Sequence, residues 1–146
     1  MTPGKLTEDQ RRRIQEALET VPFAKLIGIE LETVEPGLAV LGLDIRAELK
    51  QNNGVVHGGA IASLIDTATA FAIIPLLTEG ERATTIDLTI SYLRPLETGR
   101  ARATARVLRA GRRVVVVSAE VSDEGQNLAA TALSTYLRLP TSKAFP

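Results

Sequence analysis

Apolar residues recur at three- to four-residue spacing near the start of the chain and at alternate positions over most of the rest, with one long apolar run between. Ile14, Leu18 and Val21 have helical spacing, Thr7 can cap, and Gln10 lies three residues on. The spacing predicts an N-terminal helix over about 7–20. The segment "PFAKLIG" reads as a short turn or helix leading into strands. "IGIELETVEPG" and "GLAVLGLDIRA" alternate apolar and polar positions, and Glu35-Pro36-Gly37 joins them as a hairpin. After the polar loop "ELKQNNG" and the apolar run, "RATTIDLTISYLRP" alternates again. It puts Ile86, Leu88, Ile90 and Tyr92 on one face and Asp87, Thr89 and Ser91 on the other. "GRARATARVLRAG", "RRVVVVSAEVSDEG" and "QNLAATALSTYLRL" follow, with turns at Gly111 and at Asp123-Glu124-Gly125. The order helix, two strands, long helix, four strands predicts an α+β domain. An antiparallel sheet of about six strands would have its apolar face covered by the long helix. With no repeat, low-complexity tract or linker, residues 1–146 read as one domain, and the tail 140–146 is expected to be loosely ordered.

On a helix over residues 58–77, Ile61, Leu64, Ala68, Phe71 and Pro75 share a bulky face suited to packing on the sheet. Gly59, Ala62, Ser63, Asp66 and Ala70 lie roughly opposite. A helix bathed by water on that side would carry Lys and Glu, and this one does not. The small face is therefore expected to be covered as well, most economically by a second copy of the chain, with Asp66 at the boundary. At the helix start, His57-Gly58-Gly59 offers unpaired N–H groups and the positive end of the dipole. Such an N–H can stabilise the oxyanion formed when a carbonyl is attacked. Asp66 lies eight residues further, about 12 Å up the axis, too far for one helix to bring both groups to one carbonyl. An antiparallel pair of helices from two chains brings Asp66 of one beside Gly58 of the other.

Composition narrows the chemistry. The chain has no cysteine and one histidine, which excludes disulfides, thiolate nucleophiles and a multi-histidine metal site within one chain. Its formal net charge is zero and aromatic residues make up 3%, unlike a nucleic-acid binder. The charged, amphipathic N-terminus lacks the apolar core of a signal peptide, so a cytoplasmic location is expected. The run 58–77 approaches membrane-spanning length but contains Asp66, hydroxyl residues and Pro75, which favours a buried helix and no membrane partner.

"GVVHGGAIASLIDTATA" resembles the G-x-x-H-G-G…D signature of the PaaI-like hotdog-fold acyl-CoA thioesterases, and "TTIDLTISYLRP" is similar to the strand that follows that family's central helix. The resemblance runs from about Val21 to Leu139. It implies the hotdog fold and paired subunits with two interfacial sites, often as dimers of dimers. It also implies hydrolysis of acyl-CoA without metal or cofactor. Carried over, Asp66 is the catalytic carboxylate, as general base or nucleophile, and the Gly58 N–H holds the thioester oxygen. His57 braces the loop, Gln51 contacts the acyl carbonyl or the sulfur, and Thr85 orients water. Gly59, Asn53, Arg94, Arg112 and Arg113 are candidates for binding substrate, the arginines because guanidinium groups suit phosphate oxygens. Asp87 fits structure or subunit contact better than chemistry. Ala70 replaces a hydroxyl residue of some members. That departure keeps open a non-catalytic acyl-CoA or lipid-binding module. Hydration of an enoyl-CoA fits less well, because it needs an acid and base pair and only Asp66 and His57 offer themselves. The acyl group is not legible at this level.

Overall fold

Thr7 starts the first helix as the spacing predicts. In the computed structural model, which describes residues 4–141, Gln10 N–H donates to Thr7 Oγ1 (3.2 Å) and Thr7 N–H to Gln10 Oε1 (2.8 Å). This reciprocal pair satisfies two donors that a helix start leaves orphaned. Helix α1 (Glu8–Glu19) buries Ile14 and Leu18. Val21, counted in the same stripe, is instead exposed and precedes a second helix, α2 (Pro22–Ile27). Pro22 suits a first helical position, and Gly28, at φ 91°, ends the helix in the left-handed conformation. The Arg46 guanidinium donates to the last carbonyls of α2, those of Leu26 (2.9 Å) and Ile27, and pins it in place.

Six strands follow: β1 (Ile29–Glu35), β2 (Leu38–Asp44), β3 (Glu81–Tyr92), β4 (Arg100–Ala110), β5 (Val114–Ser122) and β6 (Leu128–Pro140). All neighbours are antiparallel, in the order β1-β2-β4-β5-β6-β3. Strand β3 thus lies at the far edge beside β6 rather than next to β4. Residues 93–99 carry the chain back across the sheet, held by Leu93 N–H on Ala129 O (2.8 Å) and by buried Leu96. Strand β6 runs through Pro140, and Thr141 N–H donates to Gly80 O (2.8 Å). The expected loose tail 140–146 is therefore ordered at its first two residues, and 142–146 lie outside the described residues.

The sheet wraps around helix α3 (Gly58–Ile73). Leu64, Ile65, Ala68, Ala72 and Ile73 are fully buried, facing Leu41, Leu43, Val115 and Val117. Ala101, Ala103 and Ala105 on β4 are buried too, and their small side chains let the helix lie close. The helix ends four residues short of the predicted 77. Pro75, which lacks an N–H, tightens the chain into a 3₁₀ turn over Ile74–Leu76. The stretch Gly58–Leu76 is long and apolar enough to cross a membrane by length and composition, but half of it is buried in this fold.

On the outer face, Arg100 bridges Glu30 (3.1 Å), Glu32 (2.7 Å) and Asp44 (3.0 Å), and Arg102 joins Glu32 (2.7 Å). Gly42 makes room for this network, since a Cβ there would stand 2.2 Å from the Arg100 guanidinium. Partial burial alone would raise the Glu32 carboxyl above its ordinary 4.5, but the hydrogen bonds from Arg100 and Arg102 outweigh it and hold it lower. A carboxyl lowered on folding stabilises the fold above its unfolded value. That contribution is lost as pH falls through the lower folded value. Arg100→Ala should therefore cost about 1 kcal/mol in urea unfolding at neutral pH. The deficit should shrink in acid as Glu32 takes up its proton.

Candidate active site

Asp66 is half-buried on the small face of α3, where a kink in β3 brings it partners. Thr85 pairs with Tyr136, but Asp87 pairs with Thr135, so Ile86 is a bulged residue and lies 55% exposed. Strict alternation would put Thr85 with Asp87 on the outer face and Ile86 inside. The bulge reverses that phase and turns Thr85 toward the helix. Its hydroxyl donates to Asp66 Oδ1 at 2.8 Å.

Tyr136 of β6, 2% exposed, approaches from beneath. Its hydroxyl lies 3.2 Å from Asp66 Oδ1, 2.9 Å from the Asp66 carbonyl oxygen and 2.8 Å from Thr69 Oγ1. Thr69 also donates to that carbonyl at 3.0 Å. Each hydroxyl has one proton, so with Thr69 serving the carbonyl, that of Tyr136 is free for the carboxylate. Burial pushes the Tyr136 phenol up to about 12, and the neighbouring Asp66 charge adds to this, so it stays a donor at neutral pH. Oδ1 is thus doubly engaged, while Oδ2 has no hydrogen bond among the described residues and is free to meet water. Ala70 brings no hydroxyl to this cluster; those of Thr85 and Tyr136 meet Oδ1, and that of Thr69 meets the Asp66 carbonyl. Tyr136 was missed because it reads as an ordinary apolar position in an alternating strand. Tyr136→Phe should lower kcat about tenfold, less than the full contribution of a general base, because Thr85 still holds Oδ1. It should cost about 1 kcal/mol of stability, the order of one buried hydrogen bond, checked by urea unfolding.

The start of α3 is held with equal care. Gly59 N–H donates to His57 Nδ1 (2.8 Å), and the Tyr92 hydroxyl donates to Gly58 O (2.8 Å). The peptide joining the two glycines is thereby gripped at both ends. Because Nδ1 accepts, a neutral His57 carries its proton on Nε2. The Gly58 N–H, first in the helix, has no intrahelical acceptor. Tyr92, at the end of β3, is a second residue that sequence reasoning left out of the site.

Gln51 and Arg94 line a groove of about 370 Å³ with Gly58, Tyr92 and Leu93. The Gln51 backbone closes the loop through Val55 O (2.9 Å) and Gly54 N–H (3.2 Å), and Asn53 is exposed on the turn beyond. Arg112 and Arg113 lie at the β4–β5 turn. That is the opposite end of the sheet from Gly58, with Arg113 O accepting from Arg138 N–H. Within one chain they do not join the other candidates, and neither do Gly58 and Asp66, separated along one helix. Asp87 is exposed on the outer face. Among the described residues no group of three His, Cys, Asp or Glu could hold a metal ion.

A sheet curled around a long helix has known counterparts. The family model of the thioesterase superfamily matches residues 53–130. The medium/long-chain acyl-CoA thioesterase YigI of Salmonella typhimurium is 34% identical over 132 residues, covering 80% of this chain and 85% of that one. The PaaI protein from the phenylacetic acid degradation operon of Escherichia coli superposes with a TM-score of 0.80 at 28% identity. That match covers 88% of this chain and 92% of the other. Thioesterase HI1161 of Haemophilus influenzae, 20% identical, superposes at 0.85 over 98% of this chain and 97% of its own, a likeness of fold. The chain belongs to the thioesterase superfamily and has the hotdog fold; it is a thioester hydrolase.

Proposed function

We propose that the protein hydrolyses acyl-CoA thioesters at two equivalent sites, each shared between paired chains in a soluble, cytoplasmic enzyme. The observation that carries this is the Asp66 carboxylate, with Oδ1 fixed by Thr85 and Tyr136 and Oδ2 left open, on a helix whose own Gly58 N–H is out of reach. Two further features support pairing. Strand β3 is a twelve-residue edge with its outer rim open and Ile86, Tyr92 and Leu93 exposed, the kind of edge that templates another strand. On α3, Ser63 and Thr67 hydroxyls donate to their own helix, at Gly59 O and Ser63 O (both 2.7 Å). That face can be covered without stranding a donor.

In this scheme Asp66 Oδ2 takes a proton from water as the oxygen adds to the thioester carbon. The negative charge moves onto the carbonyl oxygen, where Gly58 N–H of the second chain meets it. The tetrahedral adduct then collapses, the C–S bond breaks and coenzyme A leaves as the thiolate. The proton held by Asp66 is free to pass to it or to solvent. Hydrogen bonds from Thr85 and Tyr136 fix Oδ1 and leave Oδ2 to face water, and in this scheme Asp66 acts as the general base. His57 braces the glycine turn, and Gln51 and Arg94 meet the coenzyme A side. No metal or cofactor takes part. The acyl-CoA class agrees with the activity for which YigI is named.

The test is a panel of acyl-CoA esters with detection of free thiol, run beside sedimentation analysis. Thiol release by a dimer or larger assembly is expected. A monomer that turns over at full rate would contradict the shared site, and a panel without released thiol would contradict the substrate class.

A further inference from the structure

Beside Asp66 and Thr85 lies an open groove of about 280 Å³ that Phe23, Ala62 and Leu88 also line. The fold leaves Phe23 52% and Leu26 71% exposed on α2, although that helix is short and firmly held by Arg46 and Gly28. A large aromatic ring on a rigid support beside the carboxylate, and only half covered, can serve as a wall for an occupant.

The chemistry of the two grooves says which part of the substrate that is. The groove beside Gly58 has Arg94 and Gln51, suited to the phosphates and amides of coenzyme A. The Phe23 groove has no cationic side chain, and the hydroxyls of Ser63 and Thr67 on its wall are turned back onto α3. Away from Asp66 and Thr85 it is apolar and makes no demand for hydrogen bonds, as an acyl group requires.

Resting on the acyl-CoA reading above, we propose that Phe23 is the specificity-determining residue of the site. Its ring closes the acyl end, so the enzyme takes short and compact acyl groups, aliphatic or aryl, and discriminates against long linear chains. The preference is thus set by a residue of α2, outside the motif that carries the chemistry.

The experiment measures kcat/KM for acetyl-, hexanoyl-, phenylacetyl- and palmitoyl-CoA with the whole protein and with Phe23→Ala, Phe23→Leu and Phe23→Trp. The same acyl series as non-hydrolysable thioether analogues is titrated by calorimetry. Wild type should favour hexanoyl or phenylacetyl over palmitoyl. Phe23→Ala should raise the palmitoyl-to-hexanoyl ratio at least about tenfold, the size of effect that pocket length exerts. Phe23→Leu should raise it less, and Phe23→Trp should lower it. A ratio unchanged in all three variants, or a wild type that prefers palmitoyl, would overturn the proposal. If no thiol is released but the analogue affinities shift with Phe23 in the same way, hydrolysis of acyl-CoA fails and the assignment of the acyl wall stands.

Discussion

Asp66→Asn should lower kcat for thioester hydrolysis about a thousandfold, within the range that general-base catalysis contributes. This corresponds to about 4 kcal/mol of barrier. The substitution is nearly isosteric. An asparagine oxygen can accept from Thr85 and Tyr136 as Oδ1 does now, so the bulge of β3 and the Thr69 contact need not move. What disappears is the second carboxylate oxygen as a proton acceptor. The effect should therefore fall on kcat, with KM and the oligomeric state little changed. Retention of activity within about tenfold of wild type would show that the proton goes elsewhere, since it would leave the carboxylate less than general-base catalysis usually provides. Steady-state kinetics beside sedimentation makes the distinction.

Gly58→Pro should cost about a hundred- to a thousandfold in kcat, the usual effect of losing one oxyanion donor. Proline removes the N–H without breaking α3, because Gly58 is the first helical residue, where proline is tolerated. The preceding His57 already has the extended backbone that proline demands, at φ −61° and ψ 134°. A Cβ at position 58 would lie 3.3 Å from the Tyr92 ring. Tyr92→Ala as a background variant isolates that contact. Loss of the donor lowers kcat, whereas a blocked groove raises KM, so the two causes separate in the kinetics.

The two variants also test the sharing of the site. Mixed and allowed to exchange subunits, Asp66→Asn and Gly58→Pro chains form hybrid dimers with one site intact, carrying Asp66 from one chain and Gly58 from the other. Activity should return to roughly a quarter of wild type at statistical exchange of a two-fold dimer. A mixture as inactive as its components would place both groups in one chain.

Much of this architecture is legible in the sequence because it follows local period. The capping box at Thr7 and Gln10 needs only its own turn. The Glu35-Pro36-Gly37 hairpin needs only the two runs beside it. The apolar stripe of α3 and its small, hydroxyl-bearing opposite face follow from 3.6-residue spacing, and they raise the question of what covers Asp66. Period alone leaves other features open. Strand β3 lies at the far edge of the sheet, beside β6, and nothing in its alternation records which neighbour it meets. Val21 leaves the first helix because Pro22 opens another.

The site divides in the same way. His57, Gly58, Gly59 and Asp66 stand out in the sequence because a glycine pair at a helix start and a lone acid in an apolar run are locally anomalous. Thr85 was placed by resemblance, and only the bulge at Ile86 explains how it reaches Asp66: an extra residue reverses the phase of the strand, and no period-two pattern encodes that. Tyr136 and Tyr92 are ordinary strand residues until the sheet closes around the helix and brings them, 70 and 34 residues away in the chain, onto the Asp66 and Gly58 backbone. Periodicity determined the elements and singled out the acid, because both depend on nearest neighbours along the chain. The tertiary structure alone decided which hydroxyls hold that acid and which oxygen stays open. Hydrogen bonds between distant strands depend on register, which the whole sheet sets at once.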